Sequence, residues 1–108
     1  MYRVEFSEHA DAQMVDISDY IYDESGSVEI AIKVVVDLTS RIKARLSRFP
    51  NSGIVELITE DDVVYRQLVV DHYYVIYRIE ENENETFVLI TNVIHNKRNK
   101  DDVIIHLG

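Results

Sequence analysis

Four histidines, His9, His72, His95 and His106, and no cysteine define the repertoire for proton transfer and nucleophilic attack in this chain. Imidazole alone titrates near neutral pH without a strong perturbation, so a histidine is the natural carrier for acid–base work. His95 stands close to Lys97 and Arg98, and Arg66 lies upstream in an apolar run. His95, Arg98 and Arg66 are therefore the best set for moving a proton and stabilising developing negative charge. Tyr74 and Tyr77 are available to orient it. Each member also has a purely structural reading. His95 would close a strand by packing and hydrogen bonding, Arg66 would pair with a carboxylate of the helices or tail, and Lys97 and Arg98 would form a solvated turn.

Other chemistries find less support. Without cysteine there can be no disulfide, no thiolate zinc site and no thiolate nucleophile. The histidines show no metal-ligand spacing and no His-Glu-x-x-His motif. Asp61-Asp62 and the acidic run from Glu80 to Glu85 lack the glycine turn and ligand spacing of a calcium loop. No glycine-rich loop could cradle a phosphate. Neither a metal nor another cofactor is expected.

The net charge of −9 weighs against non-specific binding of nucleic acid, whose affinity comes from Lys and Arg displacing counterions. The charge is unevenly spread. Residues 1–37 carry two bases and nine acids, whereas residues 38–48 carry Arg41, Lys43, Arg45 and Arg48 and no acid. That basic run lies on the outer side of a helix, where it is either a solvated face complementing the helix C-terminus or a contact with acidic groups of a protein partner or of the chain itself.

The elements that must position these groups follow from periodicity. At 108 residues a single domain spanning 1–108 is expected. Tyr2, Val4 and Phe6 alternate with polar residues as a short strand does. Ser7 is placed to cap a helix whose apolar stripe is Ala10, Met14, Ile17 and Ile21, and Gly26 ends it. A second helix begins near Ser27 with a stripe of Ala31, Val35, Leu38, Ile42, Leu46 and Phe49, and Pro50 stops it. Beyond Ile54 the period falls to two, predicting strands over 55–59, 63–70, 73–79 and 86–93 joined by short turns. Tyr73, Val75, Tyr77 and Ile79 share one face, and Tyr74, Ile76 and Arg78 the other. Phe87, Leu89 and Val93 are expected opposite Val88, Ile90 and Ile94. The expected fold class is α+β, an N-terminal strand and helical hairpin packed on a small, mainly antiparallel sheet. With nearly two apolar faces the sheet needs a second cover: the tail Val103-Ile104-Ile105-His106-Leu107, another subunit, or a partner. No signal peptide or membrane-spanning stretch is apparent, so a cytoplasmic location away from membranes is expected.

Four motifs in order carry a resemblance: Ser7-Glu8-His9-Ala10 after a tyrosine-bearing strand, Arg48-Phe49-Pro50-Asn51-Ser52-Gly53, the stretch from Tyr65 to Ile79, and Val93-Ile94-His95-Asn96-Lys97-Arg98-Asn99. Together they resemble the RelE/ParE toxin superfamily, especially its ParE-like, plasmid-stabilisation branch. There an Arg-x-Leu strand (Arg66-Gln67-Leu68), a Tyr-x-Val-x-Tyr strand (Tyr73 to Tyr77) and a terminal His-x-x-Arg (His95 to Arg98) recur in this order.

The resemblance implies the toxin half of a type II toxin–antitoxin module and a cognate antitoxin lying across the toxin's surface. Its branches imply two targets. ParE-like members poison DNA gyrase through protein contacts, whereas RelE-like members enter the ribosome and cleave mRNA. For cleavage the candidate catalytic residues are His95, Arg98 and Arg66; for target or antitoxin contact they are Arg66, Tyr74, Tyr77 and Arg98. Tyr74 and Gln67 stand where many RelE-like nucleases carry basic side chains, which with the net acidity favours the gyrase-directed reading. The alternatives are a ribosome-dependent mRNA endonuclease, and a decayed module that retains only antitoxin binding. A homodimer is compatible with either.

Overall fold

In a computed structural model, described over residues 1–95, seven elements follow one another: β1 (Arg3–Phe6), α1 (Glu8–Ser25), α2 (Val28–Arg48), β2 (Ile54–Ile58), β3 (Val64–Val70), β4 (Tyr73–Glu81) and β5 (Thr86–His95). Capping chemistry sets the helix ends. The Ser7 Oγ accepts from the Ala10 N–H at 3.1 Å and the Ser27 Oγ from the Ile30 N–H at 3.2 Å, each satisfying one of the free N–H groups of a first turn. Gly26 closes α1 in the left-handed region, at φ 68°, and its N–H donates to the Tyr22 carbonyl.

The sheet order is β1-β5-β4-β3-β2. Strands β2 to β5 form the expected antiparallel meander, and β1 adds in parallel to β5, with Val4 beside Val88 and Phe6 beside Ile90. The helical hairpin covers one face, so the fold is α+β with a mixed, mainly antiparallel sheet. Ala10 and Met14 of α1 and Leu38, Ile42 and Leu46 of α2 pack on Leu68, Tyr73, Val75, Tyr77, Val88, Ile90 and Val93. Each fully buried Leu or Ile in this layer contributes roughly 1.5–3 kcal/mol. The opposite face carries a smaller buried cluster of Tyr65, Ile76 and Ile94, with Tyr74 against it. The proposed tail cover, Val103 to Leu107, lies outside the described residues.

Two expectations are corrected. Phe49 does not extend the α2 stripe but is 60% exposed. The cause is Pro50, whose ring disfavours helical geometry in the residue before it; Phe49 adopts φ −129°, ψ 66° and turns away from the core. Val93 and Ile94 are also exchanged between faces. The β4–β5 pairing slips between Ile76/Asn92 and Tyr77/Ile90, so β5 holds one extra residue there. A bulge of this kind inverts the inside–outside alternation beyond it, and Val93 joins Val88 and Ile90 under the helices while Ile94 joins the second cluster.

Just past the bulge, the Val93 N–H finds its acceptor on α1: the Gln13 Oε1, at 2.7 Å. Replacing Gln13 with alanine is expected to cost about 1–3 kcal/mol, because a partly buried N–H loses its partner. Urea denaturation measures the loss, and Gln13→Glu, which keeps an acceptor oxygen, should recover most of it.

Candidate functional site

The sequence-predicted residues fall into three places. Arg66 and Tyr77 are direct partners across β3 and β4, both on the helix-facing side. Tyr77 is fully buried. Its hydroxyl donates to the Pro50 carbonyl at 2.7 Å and accepts from the Gly53 N–H at 2.9 Å. The Arg66 Nη1 donates to the Gly53 carbonyl at 2.9 Å and lies 3.5 Å from that of Asn51. The pair therefore clamps the loop between α2 and β2, and Arg66 binds backbone carbonyls rather than the carboxylate that its purely structural reading offered. Burial raises the Tyr77 pKa above the ordinary phenol value, outweighing the Gly53 hydrogen bond and the Arg66 charge, which lower it.

Tyr74 lies on the opposite face, half-buried beside Tyr65, Ile76 and Ile94. On the same face Arg78 pairs with Glu80 and donates to the Tyr65 hydroxyl, stacking 5.5 Å above that ring. Gln67 is buried, only 6% exposed. A basic side chain at that position would be driven into an apolar layer, which is one physical reason for a neutral amide there.

His95 ends β5 opposite Tyr73. The two rings meet edge-on at 5.3 Å, and His72 stacks on His95 at 6.3 Å. Beside them a cleft of about 320 Å³ opens between α1 and the strand ends, lined by Gln13, Asp16, Ile17, Tyr20, Tyr73 and His95 among others. Tyr73 has its pKa raised by burial first and by the Asp71 charge second. Arg98 lies outside the described residues.

His95 and Arg66 do not meet. They are separated by four positions along β4 and by two strand spacings, roughly 13 Å along the sheet and 10 Å across it. No group of three or more His, Asp or Glu side chains able to hold a metal occurs among the described residues. None of the described helices is long and apolar enough to cross a membrane.

Sequence reasoning missed Gln13, Gly53 and the exposed Phe49. The signals were Pro50 for Phe49 and the small residue at the helix–strand junction for Gly53. Gln13 gave none, since its role depends on a bulge in a strand eighty residues away.

Similarity places this architecture. The chain matches the family model for the ParE toxin of the type II toxin–antitoxin system parDE over residues 4–100. A search of curated proteins finds no match. Among solved structures, a chain of the chromosomal ParDE TA system from P. aeruginosa is similar in fold, with a TM-score of 0.67 at 18% identity, covering 88% of this chain and 96% of that one. The strand, helical hairpin and meander, matched by the family model over nearly the whole length, mean that the chain belongs to the ParE toxin family of type II toxin–antitoxin systems.

Proposed function

We propose that this toxin acts on DNA gyrase by protein contact and is silenced by its cognate antitoxin, without cleaving RNA. The observation that carries the reading is the dispersal of the groups cleavage would need. A 2′-hydroxyl attack requires a base and charge-stabilising donors around one phosphate, within hydrogen-bond reach of their atoms. Arg66 is instead occupied with the carbonyls of Gly53 and Asn51, far from His95. Tyr77, the other orienting candidate, has its hydroxyl buried and both hydrogen-bonding roles filled. The net charge of −9 adds to this, since it opposes approach to a ribosomal RNA surface.

Purified toxin is expected to inhibit supercoiling by purified gyrase, with the inhibition reversed by the antitoxin encoded beside it. Intact ribosome-bound mRNA in a purified translation system is the second expected result. Codon-position-specific cleavage in that system would overturn the proposal in favour of the endonuclease.

A further inference from the structure

We infer that the C-terminal end of α2, with Arg45, Arg48 and Phe49, is a docking surface for an acidic, extended segment of a partner protein that carries an apolar side chain on the same face as its carboxylates. This goes beyond the gyrase reading and does not depend on it.

Three features of the surface converge. The first is charge. Residues 38–48 hold four of the chain's eleven Lys and Arg and none of its twenty acids. Arg41, Arg45 and Arg48 recur at helical spacing, so they line one face. Arg41 is already paired with Asp71. Arg45 has only a long 3.4 Å contact to the Ser52 hydroxyl, and no carboxylate among the described residues pairs with either Arg45 or Arg48. Both are exposed.

The second feature is an aromatic anchor beside them. Phe49 is 60% exposed at the helix end, and an open depression is lined by Arg45, Arg48, Phe49, Pro50, Asn51 and Ser52. Aromatic and arginine side chains are the residue types that most often dominate interface energies.

The third is rigidity. The loop carrying Phe49 is held from below by the buried Tyr77 hydroxyl, by Arg66 and by the Ser52 N–H donating to the Phe49 carbonyl at 3.0 Å. A surface fixed before binding loses less entropy when it is occupied.

The charge pattern selects the occupant. Arginines one turn apart are about 5–6 Å from each other at their base. Alternate residues of an extended peptide share one face and are roughly 6.6 Å apart, so carboxylates two residues apart match that spacing, and an apolar side chain two residues further on lies on the face that meets Phe49. A nucleic acid suits the surface less well. A long polyanion would meet the acidic remainder of the chain, whereas a short acidic segment feels only what lies within about 8 Å at physiological salt.

The test uses the full chain and a fluorescein-labelled peptide in which serine alternates with glutamate, glutamate and leucine in turn, followed by fluorescence anisotropy at near-physiological salt. The wild type should bind this peptide and not the counterpart with lysine in place of glutamate. Arg45→Glu with Arg48→Glu should weaken binding at least about tenfold, and Phe49→Ala by a similar factor. Arg45→Lys with Arg48→Lys keeps the charge and the helix-end complement but loses the bidentate geometry, and should fall several-fold. Thermal melts confirm that each variant is folded. Absence of binding by the wild type, or equal binding by the charge-reversed pair, overturns the inference. So does tighter binding of a single-stranded oligonucleotide of equal length through the same residues.

Discussion

Tyr77→Ala is expected to be among the most damaging single substitutions in the chain, at about 3–5 kcal/mol for a fully buried aromatic side chain. Two contributions are separable. Removing the ring empties a site packed among the residues of the main core, including Val75, Val88 and Ile90. Removing only the hydroxyl, in Tyr77→Phe, leaves the ring but strips the Gly53 N–H and the Pro50 carbonyl of their partner. An unsatisfied buried donor costs about 1–3 kcal/mol, so phenylalanine should show roughly the smaller part of the loss. Urea denaturation of the three proteins gives both terms.

The same residue makes a pH signature. Its pKa is raised in the folded state, so the unfolded chain releases the proton first as pH rises past the ordinary phenol value near 10. The stability that comes from keeping the phenol neutral is complete below that value and is lost as pH climbs toward the folded-state pKa. Tyr73 is shifted in the same direction. Tyr77→Phe should therefore lower stability at neutral pH yet flatten its decline in alkali. Equal alkaline slopes for wild type and Tyr77→Phe would show that the buried hydroxyl does not govern that limb.

Much of the scaffold was legible because it rests on local rules. Ser7, Ser27, Gly26 and Pro50 mark helix ends through capping and steric exclusion, which act within a few residues. The stripe Ala31, Val35, Leu38, Ile42 and Leu46 points to one covered face; Leu38, Ile42 and Leu46 lie in the main core with Val35 against it, and Ala31 is buried as well. The bulge in β5 was not legible. Nothing near Thr91 and Asn92 distinguishes an extra residue from a regular strand, and the consequence, Val93 under the helices and Ile94 in the cluster on the opposite face, depends on how β4 pairs with it. The site was less legible still. Arg66 and Tyr77 were singled out by residue type, but whether an arginine faces a target or a loop carbonyl is decided by a segment more than ten residues away. Hydrogen bonds that close such distances leave no periodic trace.

Gly53→Ala should be the other severe change, despite adding a single methyl group. A Cβ there would stand 2.7 Å from the Gln67 carbonyl oxygen, 2.7 Å from the Tyr77 hydroxyl and 2.9 Å from the Tyr77 ring. None of these neighbours moves freely. Gln67 lies in β3 and pairs with Ile54, the residue after the glycine, and Tyr77 is fully buried. Forcing a methyl into such packing costs about 1–3 kcal/mol, with further loss if the hydrogen bonds of the clamp break at about 1 kcal/mol each. Opposing this, alanine restricts the unfolded chain by about 0.4–1 kcal/mol where the backbone tolerates it, which is too little to reverse the sign. Gly26→Ala supplies the contrast: nothing lies within 4 Å of the added carbon, and its cost, about 1–2 kcal/mol, comes from a left-handed backbone alone. The mechanism at Gly53 is tested by a double-mutant cycle. Tyr77→Phe removes the oxygen responsible for one of the two closest contacts, so Gly53→Ala should cost less in that background than in the wild type. Strict additivity would mean that the methyl is accommodated without touching Tyr77, and the clamp would then not be what holds the loop beneath Phe49.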